Sequence, residues 1–214
     1  MTVLILILFC LAATTFAARN LQLLVINNAT QMVCLPLLGS TTFEVFGGVA
    51  NVGNIFFASA LYGIALKYHI FGIAETRRAV INIFFALTLV FGSIVILNIQ
   101  APNPFYQIPA RIIAASFIAF WLVQSLFMVG LDSFRRTCPL ITVPLLLIAV
   151  QAFDSVIYFP CAFWGTVPDE TLLRFALVGF LTKSMIAIMA VPFLAFSLWR
   201  LDQNPFANRP RGLA

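Results

Sequence analysis

Apolar stretches about as long as a bilayer crossing follow one another along the chain, separated by short polar breaks. Residues 2–18 carry no charge and stop at Arg19-Asn20. Their Ala-rich end resembles a cleavage region. A basic n-region is missing, however, and further apolar segments follow, so the stretch is read as a retained helix. Residues 20–48 are the least regular, mixing apolar runs at 21–26 and 32–38 with Asn27, Asn28, Thr30, Ser40, Thr41 and Glu44. They suit a continuation of the first helix, an interfacial piece or a re-entrant loop. Asn28-Ala29-Thr30 fits the glycosylation pattern, and a plain polar loop is the simpler reading.

Five more spans follow, at residues 49–71, 79–97, 108–129, 139–163 and 172–199. Arg77-Arg78 precedes the third span, and a loop with Pro102 and Pro104 follows it. Pro192 inside the sixth removes an intrahelical bond and predicts a kink. The pattern predicts an all-α integral membrane protein with six transmembrane helices in one bundle, over residues 1–199. A polar, basic cytoplasmic tail occupies residues 200–214.

Composition agrees. The 214 residues are 62% hydrophobic and 9% charged, against about 45–50% and about 25% in a soluble domain. Nineteen charged side chains (12 basic, 7 acidic) cannot make a water-facing surface of this size. That excludes a soluble enzyme, a nucleic-acid module and a disordered chain. At roughly 20 residues per crossing of a ~30 Å core, there is room for about six helices and no soluble domain. The net charge of +5 then reflects basic residues kept on the cytoplasmic side rather than a nucleic-acid partner. With the N-terminus inside, inner loops hold Arg77, Arg78, Arg135, Arg136, Arg200, Arg209 and Arg211, and outer ends hold Arg19, Arg111 and Arg174. The count places both termini in the cytoplasm of a multi-pass protein of the cell inner membrane. Cys10, Cys34, Cys138 and Cys161 have neither paired nor metal-ligand spacing, so neither a disulfide nor a metal site is expected.

An intramembrane charge costs about 2.5–3.5 kcal/mol on insertion scales, so each one asks for a reason. Asp154 lies midway along the fifth span, with Gln151 three residues before it and Tyr158 four after, on one helix face. The strip suits either substrate recognition or an interhelical staple. Lys183, between Thr182 and Ser184, could neutralise Asp154, present a cation to a substrate, or snorkel. Arg111 and Arg174, near the starts of their spans, suit snorkelling or a role at the outer mouth. Gln124 and Trp121 offer an amide and a flat ring from the fourth span; Asn51 and Asn54 offer amides from the second. Trp164 and Trp199 read as interfacial anchors. A nucleophile–base pair and a metal box are both missing from the sequence, so the chemistry suggested is recognition without catalysis or cofactor.

Four motifs carry a family resemblance. Gly53-Asn54-Ile55-Phe56-Phe57 with Gly72, Glu75 and Arg77-Arg78 resembles the second-helix signature of the VUT family of queuosine precursor transporters. Arg111-Ile112-Ile113-Ala114-Ala115-Ser116, Ala119-Phe120 and Gln124 are similar to its fourth-helix motif, and Phe153-Asp154-Ser155-Val156-Ile157-Tyr158 through Ala162-Phe163-Trp164-Gly165 to its fifth. Lys183 and Pro192-Phe193 match the sixth-helix pattern. Where that family's second helix carries an aspartate and a glutamate, this chain has Ala65 and His69. The resemblance implies a divergent six-helix importer of preQ0, preQ1 or a related purine-like base. Asp154 would accept the donor fork of N1–H and the exocyclic amine, Gln124 and Asn54 would satisfy other edges, and Trp121 or Tyr158 would stack. Lys183, Gln151 and Arg111 complete the expected site.

Two rivals stand beside it. One is the substrate-binding subunit of an energy-coupling-factor vitamin importer, docking through Ala13 and Ala17. The other is a non-transporting subunit in which Asp154 and Lys183 form a buried pair. Expected partners are the purine-like substrate, the lipid bilayer, and a second copy or an energy-coupling module.

Overall fold

The computed structural model describes residues 2–38, 41–100 and 110–202, which form seven helices and one β-hairpin. The helices are α1 (Thr2–Ala17), α2 (Leu21–Leu38), α3 (Gly53–Phe71), α4 (Ile73–Gln100), α5 (Ala110–Ser133), α6 (Pro139–Phe163) and α7 (Asp169–Asp202). Strands β1 (Thr42–Val45) and β2 (Gly48–Asn51) pair antiparallel between α2 and α3. The loop at Pro102 and Pro104, the start expected at residue 108 and the tail beyond residue 202 lie outside the described residues.

Helices α5, α6 and α7 are long and apolar enough to cross a bilayer. Their outward faces carry Val129, Ile141, Val156 and Leu173, all more than half exposed, as lipid-facing residues are. Helix α3 is different: every residue from Gly53 to Lys67 is buried. It forms the axis, wrapped by the other helices. A helix that meets protein on all sides need not be uniformly apolar, which is why α3 can hold Asn54, Ser59 and Lys67.

Residues 20–48 correct the expectation of six helices. The chain turns at Arg19-Asn20, and α2 folds back against α1 as a separate seventh helix. Polar side chains stitch the pair. Asn27 and Gln31 both donate to the Thr14 hydroxyl, at 3.0 and 2.9 Å. On its other side, the amide of Asn28 donates to the Ala60 carbonyl of α3 at 3.1 Å. Gly63 permits that approach, since a Cβ there would stand 2.2 Å from the Asn28 carbonyl oxygen. Gly63→Ala is therefore expected to push Asn28 off Ala60 and cost about 1–3 kcal/mol. A lowered thermal midpoint of the purified protein checks this, and Asn28→Ala in the same chain should recover part of the loss.

The hairpin turns at Phe46-Gly47, both with positive φ (51° and 68°). It packs on the start of α7, where a Cβ on Gly48 would meet Val178 at 2.6 Å. There the Arg174 guanidinium donates to the Gly47 carbonyl.

The extra helix also moves Arg19. Expected at the opposite end from Arg200, it lines one groove with it, between the C-terminal ends of α1 and α7. Tyr68, near the end of α3, donates to Asp132 near the end of α5 at 3.4 Å, so those two C-terminal ends also lie together.

Candidate functional site

The polar face of α6 points into the bundle. Gln151, Asp154 and Ser155 are all buried, as helical spacing requires of positions i, i+3 and i+4. Asp154 stands about 13 Å from the C-terminal end of α6 at 1.5 Å per residue, well within the apolar depth. The Lys183 ammonium of α7 donates to its carboxylate, and both side chains are under 10% exposed (3% and 7%).

Aromatic rings close over this pair. The ammonium lies 5.5 Å from the centroid of Phe57 on α3 and 6.0 Å from that of Phe159 on α6. Ring faces attract a cation and exclude water, so they strengthen the pair's electrostatics while shutting it from solvent. Gly179, one turn before Lys183, makes room for Phe159: a Cβ there would lie 2.8 Å from the ring and 3.7 Å from the Asn54 amide nitrogen. Asn54 thus reaches the same junction from α3, and its own backbone N–H is held by the Asn51 side chain at 2.9 Å.

Inside the bundle, hydrogen-bonding capacity goes unused. Both side-chain polar atoms of Gln151, the amide nitrogen of Gln124, and the hydroxyls of Ser59, Ser155 and Ser184 are buried without a partner among the described residues. An unmade buried bond costs about 1–3 kcal/mol, so each of these groups asks for a partner. They come from α3, α5, α6 and α7, the four helices that sequence reasoning chose. Tyr158 continues the strip one turn further, with its hydroxyl toward Ser116 and Asp154 and its ring 5.1 Å from Phe159.

Two expected site residues lie elsewhere. Trp121 is 58% exposed. The buried stripe of α5 runs through Ala115, Ala119, Val123 and Phe127, and Trp121 sits about half a turn away from it on the outer face. Gln124, three residues on, remains inside. Arg111 is exposed and caps α6. Its guanidinium donates to the carbonyls of Cys161 and Trp164, both at 2.7 Å, and of Pro160 at 3.5 Å. Those of Cys161 and Trp164 are carbonyls that a helix end leaves unpaired, and Arg111 satisfies them.

Sequence reasoning passed over Phe57, Phe159, Gly179, Ser59, Ser155 and Ser184. Gly179 falls four residues before Lys183, so a small residue on the face of a charged one was the available signal. Phe57 stood in the second-helix motif without a role of its own, and nothing set Phe159 apart among the 23 phenylalanines of the chain.

Residues 51–197 match the family described as "Putative vitamin uptake transporter". A "Probable queuosine precursor transporter" of Bacillus subtilis (strain 168) is 24% identical over 176 residues, covering 75% of this chain and 77% of that relative. No solved structure matches the chain.

Proposed function

Since the chain belongs to the vitamin uptake transporter family, and is a membrane transporter rather than an enzyme, we propose that it imports a queuosine precursor, preQ0 or preQ1, or a related purine-like base, across the cell inner membrane. The observation that carries this reading is the buried Lys183–Asp154 pair, in a bundle whose α3, α5, α6 and α7 also bear unpartnered buried amides and hydroxyls.

A 7-deazaguanine presents an acceptor (O6), a donor (N1–H) and a second donor (the exocyclic amine) in a row. A cation beside a carboxylate is the complement of that row. Lys183 donates to O6, and the two oxygens of Asp154 accept the donor fork. Gln124, Gln151 and Asn54 serve the remaining edges, and Phe57 and Phe159 enclose the ring. Because the pair is neutral as a unit, preQ0, itself neutral, enters without adding net charge to the apolar interior. In the closed state the two residues satisfy each other. Cargo parts them and gives each a new partner, so the site empties without leaving a bare charge in lipid. Transport follows when the helices around the pair open to either side in turn.

We also read the bundle as seven alternating passes, with the N-terminus outside and the C-terminus inside. Support comes from the arginines. Arg19, Arg77, Arg78, Arg135, Arg136 and Arg200 fall at one end, and Arg111 and Arg174 at the other, as expected when basic residues stay in the cytoplasm.

Competition tests the recognition. In cells that cannot make the base, an analogue of preQ0 lacking the exocyclic amine should compete for labelled uptake about 10- to 100-fold more weakly than preQ0, the worth of one charge-assisted bond. Equal competition would overturn the role given to the carboxylate.

A further inference from the structure

A second feature of the bundle lies apart from the central pair. Between α1 and α7, at the end where Arg77, Arg78, Arg135 and Arg136 also fall, an apolar groove of about 580 Å³ opens, with Ala12 and Phe16 on one wall and Pro192, Phe193 and Phe196 on the other. Arg19 and Arg200 stand at its mouth. Each is held there by its own helix: the Arg19 guanidinium lies 4.4 Å from the Phe16 ring centroid, and that of Arg200 lies 4.8 Å from the Phe196 centroid. Neither forms an ion pair among the described residues.

We infer that this groove binds an anionic phospholipid, with the two guanidinium groups on its phosphodiester and an acyl chain along the apolar walls. Charge complementarity and position commit the site to that occupant. Two planar forks facing the same mouth suit a phosphate, which Arg binds bidentately. An apolar trough directly beneath suits a chain attached to that phosphate and not a free ion. Anionic lipid is concentrated in the cytoplasmic leaflet, the side where basic residues gather. A groove of this volume is in the range of small-molecule sites. Stacking on phenylalanine adds to the case. It fixes the guanidinium planes in advance, so less side-chain freedom is lost on binding.

The test uses purified full-length protein in neutral detergent, with thermal unfolding followed after addition of lipid. Dioleoyl phosphatidylglycerol should raise the unfolding midpoint, and dioleoyl phosphatidylcholine should not. Arg19→Gln/Arg200→Gln should abolish most of the phosphatidylglycerol response. Arg77→Gln/Arg78→Gln, which removes the same charge outside the groove, should keep it. Arg19→Lys/Arg200→Lys should keep a reduced response, which separates lost recognition from a misfolded variant. Inorganic phosphate should give no shift, because it lacks the chain. An equal response to phosphatidylcholine, an equal loss in the Arg77/Arg78 variant, a full response in the Arg19→Gln/Arg200→Gln variant, or an equal shift with phosphate would each overturn the inference.

Discussion

Uptake of labelled preQ0 or preQ1 is expected to fall at least about 100-fold in Asp154→Asn, close to the background of cells with no transporter. The change removes few atoms but reverses the hydrogen-bonding sense of one arm. A carboxylate only accepts, so both its oxygens can face the N1–H and exocyclic amine. An asparagine offers one acceptor and one donor, and the donor meets another donor. Sites built to hydrogen-bond a polar group reject a mismatch by far more than apolar pockets do, because the buried groups are left unpaired. Asn in place of Asp also leaves the Lys183 ammonium without its counter-ion beneath Phe57 and Phe159. Measured at equal membrane abundance, near-normal uptake in this variant would remove Asp154 from the cargo site.

The largest effect on stability is expected from Lys183→Met. Breaking a buried pair by removing one partner costs about 3–5 kcal/mol, since the remaining charge keeps its desolvation penalty and loses its compensation. Replacing both partners is different. Asp154→Leu/Lys183→Met removes both penalties together, and a well-packed apolar substitute for a buried pair is often neutral or stabilising. The double variant should therefore recover most of what Lys183→Met loses, as read by its thermal midpoint in detergent. A double variant as unstable as the single one would mean that the pair's neighbours cannot repack around apolar side chains.

Much of this was legible along the chain. Three of the expected spans became α5, α6 and α7, because long apolar runs with few charges have one stable state in lipid. Asp154 stood out because a carboxylate in a greasy helix needs a partner, and Lys183 was the basic residue at matching depth. The inward strip Gln151, Asp154, Tyr158 followed from helical period alone. What could not be read came from tertiary contacts. Helix α2 hides because the amide nitrogens of its buried Asn28 and Gln31 donate to α3 and α1, so these residues look like loop residues until those neighbours are in place. The hairpin hides because its turn is Phe46-Gly47, without the Asn-Gly or Asp-Gly that announces a tight turn. Trp121 was misplaced because it lies only three residues from Gln124, and at that spacing a helix can turn one side chain inward and leave the other on the lipid face. Arg111 was given to the cargo because the helix end that it caps is 50 residues distant.

A mere staple and a cargo site make the same forecast for Lys183→Met, and they part over the double variant. The decisive measurement is calorimetric binding of preQ0 and preQ1 to the purified wild type and to Asp154→Leu/Lys183→Met, both shown by circular dichroism to be folded. Binding by the wild type and a loss of at least about 100-fold in the folded double variant is the expected result. A folded double variant that binds either base as tightly as the wild type would show that the pair only holds helices together.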